Sequence, residues 1–159
     1  MKPDPAAAEC PANYTDASIG IVVSDWHSEI TSSLLEAALT TLKQCGVEEE
    51  DIYVAHVPGA MELTFAARQM SNVVEPSAVL VLGSVVQEGN PQFDSIRQSI
   101  THGITELNLH SDIPFIFGVL TTSTLEEARQ LAAGPDNKGA ECAETALKMV
   151  NMMAHLINQ

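Results

Sequence analysis

The sequence predicts an α/β fold: one parallel sheet of four strands with helices on both faces. Three observations carry that reading. Short β-rich runs alternate with stretches of helical period, the strand runs are apolar on both faces, and glycine, proline or Ser/Thr breaks separate them. Strand–helix alternation implies right-handed crossovers and hence parallel pairing, and a sheet covered on both sides reads as continuous apolar strands. At 159 residues the chain has the length of a single domain with one sizeable core.

The first strand is expected over Ile19–Ser24, after a polar, Pro/Ala-containing segment over residues 1–17 that reads as an arm rather than a leader. The domain proper then occupies residues 18–159. Ser28 can cap a helix whose apolar positions Ile30, Leu34, Leu35, Ala38, Leu39 and Leu42 keep helical spacing, with Gly46 ending it. A second strand is expected over Ile52–Val57, closed by Pro58-Gly59, and a second helix over 61–70. Ala78–Val86 is the third and most apolar strand, followed by a helix over Phe93–Leu109. A fourth strand is expected over 113–120, then Thr121-Thr122-Ser123-Thr124 leads into a short helix from Leu125. The breaker Gly134-Pro135-Asp136-Asn137 precedes a last helix from about Lys138.

In parallel sheets of this kind ligands bind beyond the carboxyl ends of the strands, where the strand order reverses. Those ends are Asp25-Trp26-His27, residues 58–62, residues 87–92 and Thr121-Thr122. The run 83–94 is the most informative. Asn90 suits a helix N-cap with Pro91 at the first helical position, and a helix start offers N–H groups and partial positive charge to an anion. Yet the turn carries Glu88 and no cation.

Trp26, the single tryptophan, reads either as a packing residue or as a stacking surface for a flat heterocycle. Glu62 complements the dipole of the helix it opens. His27 can titrate near neutrality. Lys138 puts a cation at a helix start, where the dipole disfavours it.

Composition narrows the function classes. The net charge of −14 with seven basic residues argues against nucleic acid. The apolar runs are strand-length, so no membrane span is expected, and a cytoplasmic location follows. Three cysteines, odd in number and without CxxC spacing, suggest neither a disulfide framework nor a zinc site, and Cys45 and Cys142 read as small core residues. No histidine pair has metal-site spacing, so no metal is assigned. The first turn, Ser-Asp-Trp-His-Ser, lacks the glycines of a dinucleotide fingerprint, although a flavodoxin-like topology remains open.

Several segments together resemble the lumazine synthase family: Ile19 to Val23, Pro58-Gly59-Ala60-Met61-Glu62, the Phe-Gly-Val-Leu-Thr-Thr run ending at Thr122, and Asn137-Lys138-Gly139. The resemblance covers the chain from Ile19 to about Asn151. It implies a flavodoxin-like four-stranded sheet, pentamers that in some members close into larger shells, and an N-terminal arm that pairs with a neighbour's sheet, here around Asn13 to Thr15.

The activity implied is condensation of 5-amino-6-ribitylaminouracil with 3,4-dihydroxy-2-butanone 4-phosphate to 6,7-dimethyl-8-ribityllumazine, a step of riboflavin biosynthesis needing no cofactor. By position, Trp26 stacks on the pyrimidine, Ala60, Met61 and Glu62 hold the ribityl chain and ring, and Ser84, Val85 and Val86 contact the pyrimidine. Phe117 is an aromatic supplied to the adjacent subunit. Gly89 and Asn90 form the phosphate-binding turn, with Lys138 near the phosphate and His27 where many members have Asn.

The departures gather in the same turn. Gln92 stands at the family's catalytic histidine, Gln87 at its arginine, and Glu88 adds a negative charge. The phosphate-binding arginine before the last helix falls at Leu131 or Gln130, with Arg129 a displaced substitute. Because a general acid–base contributes about 10²–10⁴-fold, the resemblance implies a weakened synthase. The alternative is a non-catalytic pentameric scaffold or ligand-binding protein of the same family, natural or engineered.

Overall fold

The computed structural model describes Cys10 and residues 14–159. Of the N-terminal arm expected over residues 1–17, Cys10 and residues 14–17 are described, and Asn13 lies outside the described residues. The four strands are β1 (Ile19–Ser24), β2 (Ile52–Val57), β3 (Ala78–Val86) and β4 (Phe115–Thr122), all parallel, in the order β2-β1-β3-β4. The helices are α1 (Ser28–Gln44), α2 (Leu63–Val74), α3 (Phe93–Leu109), α4 (Leu125–Leu131) and α5 (Lys138–Ile157).

Alternation along the strands divides the core in two. Ile19, Ile21 and Val23 of β1 and Leu80 and Leu82 of β3 pack beneath α1 and α5, with Leu34, Leu42, Ala143 and Leu147. Val22, Val79 and Val81 point the other way, against Leu63 and Ala67 of α2 and Ile100 and Ile104 of α3. Each central strand is therefore buried on both faces, and every residue of β1 and β3 is buried. Burying such a side chain contributes about 1.5–3 kcal/mol, which is why the two central strands read as unbroken apolar runs. β2 at the edge is half exposed.

Several boundaries differ from expectation. The second helix begins later than residue 61, because Ala60–Glu62 forms a 3-10 turn before α2 takes over at Leu63. The fourth strand begins at Phe115 rather than residue 113. Pro114 has no N–H to give a ladder, and the Asn108 side chain brackets the strand's first residue, accepting from Phe115 N–H at 2.8 Å and donating to its carbonyl at 3.0 Å. Ser28 does not cap α1. His27 occupies the cap in the left-handed region (φ 57°) with no side-chain cap bond, and Ser28 is the first helical residue. Asn90 and Pro91 likewise precede α3 by a turn, since Gln92 is its cap.

The cysteine reading needs a larger correction. Cys10 and Cys45 form a disulfide across 35 residues, with Cα atoms 5.5 Å apart, and Cys142 alone is free. An odd count excludes a complete framework but not one pair. The backbone brings the two sites together, since the N–H of Tyr14 donates to the Cys45 carbonyl at 3.1 Å.

The last two helices begin where side chains cap them. Thr124 caps α4 by accepting from Glu127 N–H, while the Glu127 carboxylate accepts from Ser123 N–H just ahead of the cap, a variant of the capping box. Asn137 caps α5 through Gly139 N–H at 2.7 Å, and its amide ties the loop to the carbonyls of Ala132 and Ser33. No helix among the described residues is long and apolar enough to cross a membrane.

Candidate functional site

The chain leaves β1 toward β2 on one side and returns from β2 to β3 on the other, so the strand order reverses between β1 and β3. A cavity of about 640 Å³ opens above that point. Its walls come from the carboxyl ends of three strands and from the starts of α3 and α4, where the topology places a ligand crevice.

Backbone pairing positions the aromatic wall. Asp25 N–H donates to the Val57 carbonyl at 2.8 Å and Trp26 N–H to the Pro58 carbonyl at 3.1 Å, extending the β1–β2 pairing beyond the strands. His27 then turns the chain through its left-handed conformation into α1. The result leaves Trp26 66% exposed at the cavity mouth, its ring tilted 46° to that of His27 at 5.5 Å.

The second wall is the 59–62 turn. A Cβ on Gly59 would stand 3.0 Å from a carboxylate oxygen of Glu62, so glycine lets that carboxylate lie close over the backbone. Met61 is half exposed beside it.

The end of β3 supplies a polar floor. Ser84 is 1% exposed and lines the cavity, and its hydroxyl has no hydrogen-bond partner within the protein; the buried Nδ1 of His27 is in the same state. Buried polar groups are mostly paired in native proteins, and these two atoms are not paired within the chain. Ser24 Oγ lies just behind, 3.1 Å from where a Cβ on Gly83 would stand, and Leu63 is nearer still. Glycine at 83 therefore keeps β1, β3 and α2 in close register beneath the floor.

The turn after β3 bonds part of its N–H groups within the chain. Gln87 N–H donates to Thr122, Glu88 N–H to Ser123, Asn90 N–H to Gln87 and Phe93 N–H to Asn90. Gln92 N–H donates to the Asn90 side chain at 3.1 Å. Gly89 adopts φ +69°, which glycine holds at little cost. Five donors of the turn are thus bonded within the protein, whereas the N–H groups of Gly89, Asp94 and Ser95 have no acceptor there.

Of the residues singled out from sequence, Trp26, His27, Ala60, Met61, Glu62, Ser84, Val85, Val86, Gly89 and Asn90 line this one cavity. Glu88, Gly59, Ile96 and Leu125 join them. Ile96 and Leu125 carried no chemical signal; they close the cavity because α3 and α4 begin beside it.

Four other candidates fall outside its wall. Gln92 caps α3 and is exposed. Phe117 lies on β4, 40% exposed, in a separate groove with Cys142 and Met149. Lys138 pairs with Glu141 at 2.7 Å. Arg129 donates from Nε and Nη2 to one oxygen of Glu29, at 3.2 and 2.9 Å, with Glu126 at 3.6 Å. The lining's ionisable groups are Glu62, Glu88 and His27, without lysine or arginine. Among the described residues no cluster of three His, Cys, Asp or Glu side chains could hold a metal ion.

This arrangement suits a flat polar ring, with an aromatic face at the mouth and unpaired polar atoms below. The profile of the family described as 6,7-dimethyl-8-ribityllumazine synthase matches residues 16–154. A protein of that name from Parabacteroides distasonis is 50% identical over 141 residues, 88% of each chain. Those of Bacteroides fragilis (45% over 135 residues, 84% of this chain and 94% of that one) and Porphyromonas gingivalis (46% over 138 residues, 86% of each) are similar over the same extent.

Proposed function

The chain belongs to the 6,7-dimethyl-8-ribityllumazine synthase family, and on that premise we propose that it condenses 5-amino-6-ribitylaminouracil with 3,4-dihydroxy-2-butanone 4-phosphate, in riboflavin biosynthesis and at a reduced rate. The observation that carries this reading is the cavity at the β1/β3 reversal, with Trp26, Glu62 and Ser84 on three sides of one space. Trp26 stacks on the pyrimidine, Ser84 with Val85 and Val86 meets its edge, and Ala60 to Glu62 bind the ribityl chain. Gly89 and Asn90 face the second substrate.

The assembly belongs to the same proposal. In a homopentamer, or a shell built from pentamers, Phe117, exposed on the edge strand β4, reaches the neighbour's cavity, and the protein works in the cytoplasm. Lys138 and Arg129 act near the phosphate only by leaving Glu141 and Glu29.

Rate enhancement in this site rests on holding the two reactants together, a term worth roughly 7–11 kcal/mol when orientation is good. Gln92 can hydrogen-bond but cannot shuttle a proton. His27 lines the cavity together with Glu62 and Glu88, which supports a part for it in proton transfer. Following lumazine absorbance with both substrates tests the proposal: a rate above buffer is expected, and a rate equal to buffer overturns it.

A second reading, a non-catalytic scaffold or ligand-binding member of the family, draws support from the position of Gln92 off the cavity wall and from Gln87. Under that reading the wild type is inert, and Gln92→His combined with Gln87→Arg and Leu131→Arg creates activity.

A further inference from the structure

We propose that Cys10 and Cys45 form a reversible thiol–disulfide exchange pair, with exposed Cys10 as the entry sulfur for a low-molecular-weight thiol of the glutathione class and buried Cys45 as the resolving thiol. The pair sits at the end of α1 away from the cavity, which meets that helix at His27. It therefore stands apart from the reaction assigned to the cavity.

Three observations carry it. First, the bridge is asymmetric: Cys10 is exposed, whereas Cys45 is 2% exposed and belongs to the core that holds Leu42 and Val47. An attacking thiolate reaches the Cys10 sulfur and not its partner. Second, the two sites stay in register when the bridge opens. Tyr14, four residues after Cys10, is itself buried, and its N–H donates to the Cys45 carbonyl at 3.1 Å. Neither contact passes through sulfur. With them in place the free segment between the thiols shortens from 35 residues to four, which on the logarithmic dependence of loop closure favours reclosure by about 25-fold. Third, Cys142 does not compete, because it is buried with its Sγ against the Phe117 carbonyl at 3.9 Å. In the cytoplasm proposed above, a disulfide meets a reducing thiol pool, where exchange and not permanent cross-linking is its usual role.

Opening starts when a low-molecular-weight thiolate attacks Cys10 Sγ. A mixed disulfide forms there, the Cys10–Cys45 bond breaks, and Cys45 leaves as a thiolate that takes a proton from water. A second thiolate attacks the outer sulfur of the mixed disulfide and releases the small disulfide and the Cys10 thiolate. The protein disulfide gains two electrons and two small thiols lose them. Closing is the reverse: the Cys10 thiolate attacks the small disulfide and expels one thiolate, and Cys45 then displaces the other from Cys10.

The test uses the intact protein, reduced with dithiothreitol, desalted and mixed with glutathione disulfide, then quenched in acid and mapped by peptide mass. The wild type is expected to pass through a glutathione adduct on Cys10 and to end with the pair closed. Closure should be about 25-fold faster than in urea at the same pH. Cys45→Ser should keep one glutathione on Cys10, and Cys10→Ser should take up none while folded, with circular dichroism confirming the fold of each. Iodoacetamide on the freshly reduced, folded wild type should label Cys10 well before Cys45, a reading that needs no variant. Equal labelling of the two, an adduct on Cys45, a glutathione-capped end state, closure no faster than in urea, or a bridge that glutathione opens only in denaturant overturns the proposal.

Discussion

At Cys142, burial between β4 and α5 pushes the thiol up from 9.0 to about 12; Glu141 next to it adds to the rise and Lys138 opposes it. A thiol raised in the folded state is neutral where the unfolded chain would begin to ionise. Its contribution to stability is therefore complete below pH 9 and lost progressively as pH climbs toward 12. At pH 8, iodoacetamide should leave Cys142 unmodified in the folded protein and label it fully after denaturation, read by intact mass; rapid labelling of the folded protein would contradict the burial. The sequence reading of Cys142 as a small core residue agrees with this environment. His27 was legible only as a titratable neighbour of Trp26. Its left-handed backbone, which leaves Trp26 at the cavity mouth, depends on where Asp25 and Trp26 pair with β2. Those partners lie some thirty residues away, beyond the reach of local pattern.

Among the elements, α1 and α5 approach most closely at Gly139, where an added Cβ would collide with the backbone of Leu34 at its carbonyl. Backbone cannot step aside as a flexible side chain can. Gly139→Ala should therefore cost about 1–3 kcal/mol, the range for overpacking, seen as a lower denaturant midpoint with an unchanged slope. A midpoint equal to wild type would mean that the two helices separate freely there. Asn137, two residues earlier, tightens the same junction by capping α5 and tying two carbonyls. The extents of β1, β2 and β3 were legible because apolar runs and glycine or proline stops coincide with them. Helix starts were less so. Ser28 and Asn90 carry good cap chemistry, yet the caps formed one residue before and two residues after them, at His27 and Gln92. Propensity ranks candidates within a turn, and the sheet's spacing decides which one the helix uses.

Across the whole chain, the Cys10–Cys45 disulfide fastens the beginning of the sequence to the C-terminal end of α1. Closing a loop across 35 residues stabilises by about 3–4 kcal/mol if loop entropy dominates. Reductant, or Cys10→Ser, should lower the unfolding midpoint accordingly, and identical midpoints with and without reductant would show that the bridge carries no stability.

The sequence by itself determined the class and order of the fold, because burial on both faces of parallel strands writes itself as apolar runs punctuated by breakers. It also determined most of the cavity's wall, since in a parallel sheet the strand ends are known once the strands are known. Tertiary structure alone decided which polar groups remain available there. Whether the N–H groups after β3 are free, whether Arg129 and Lys138 are already paired, and which cysteines meet are questions of distance between segments far apart in sequence. Residue type and spacing do not encode those distances; the packing of α1, α4 and α5 against the sheet sets them.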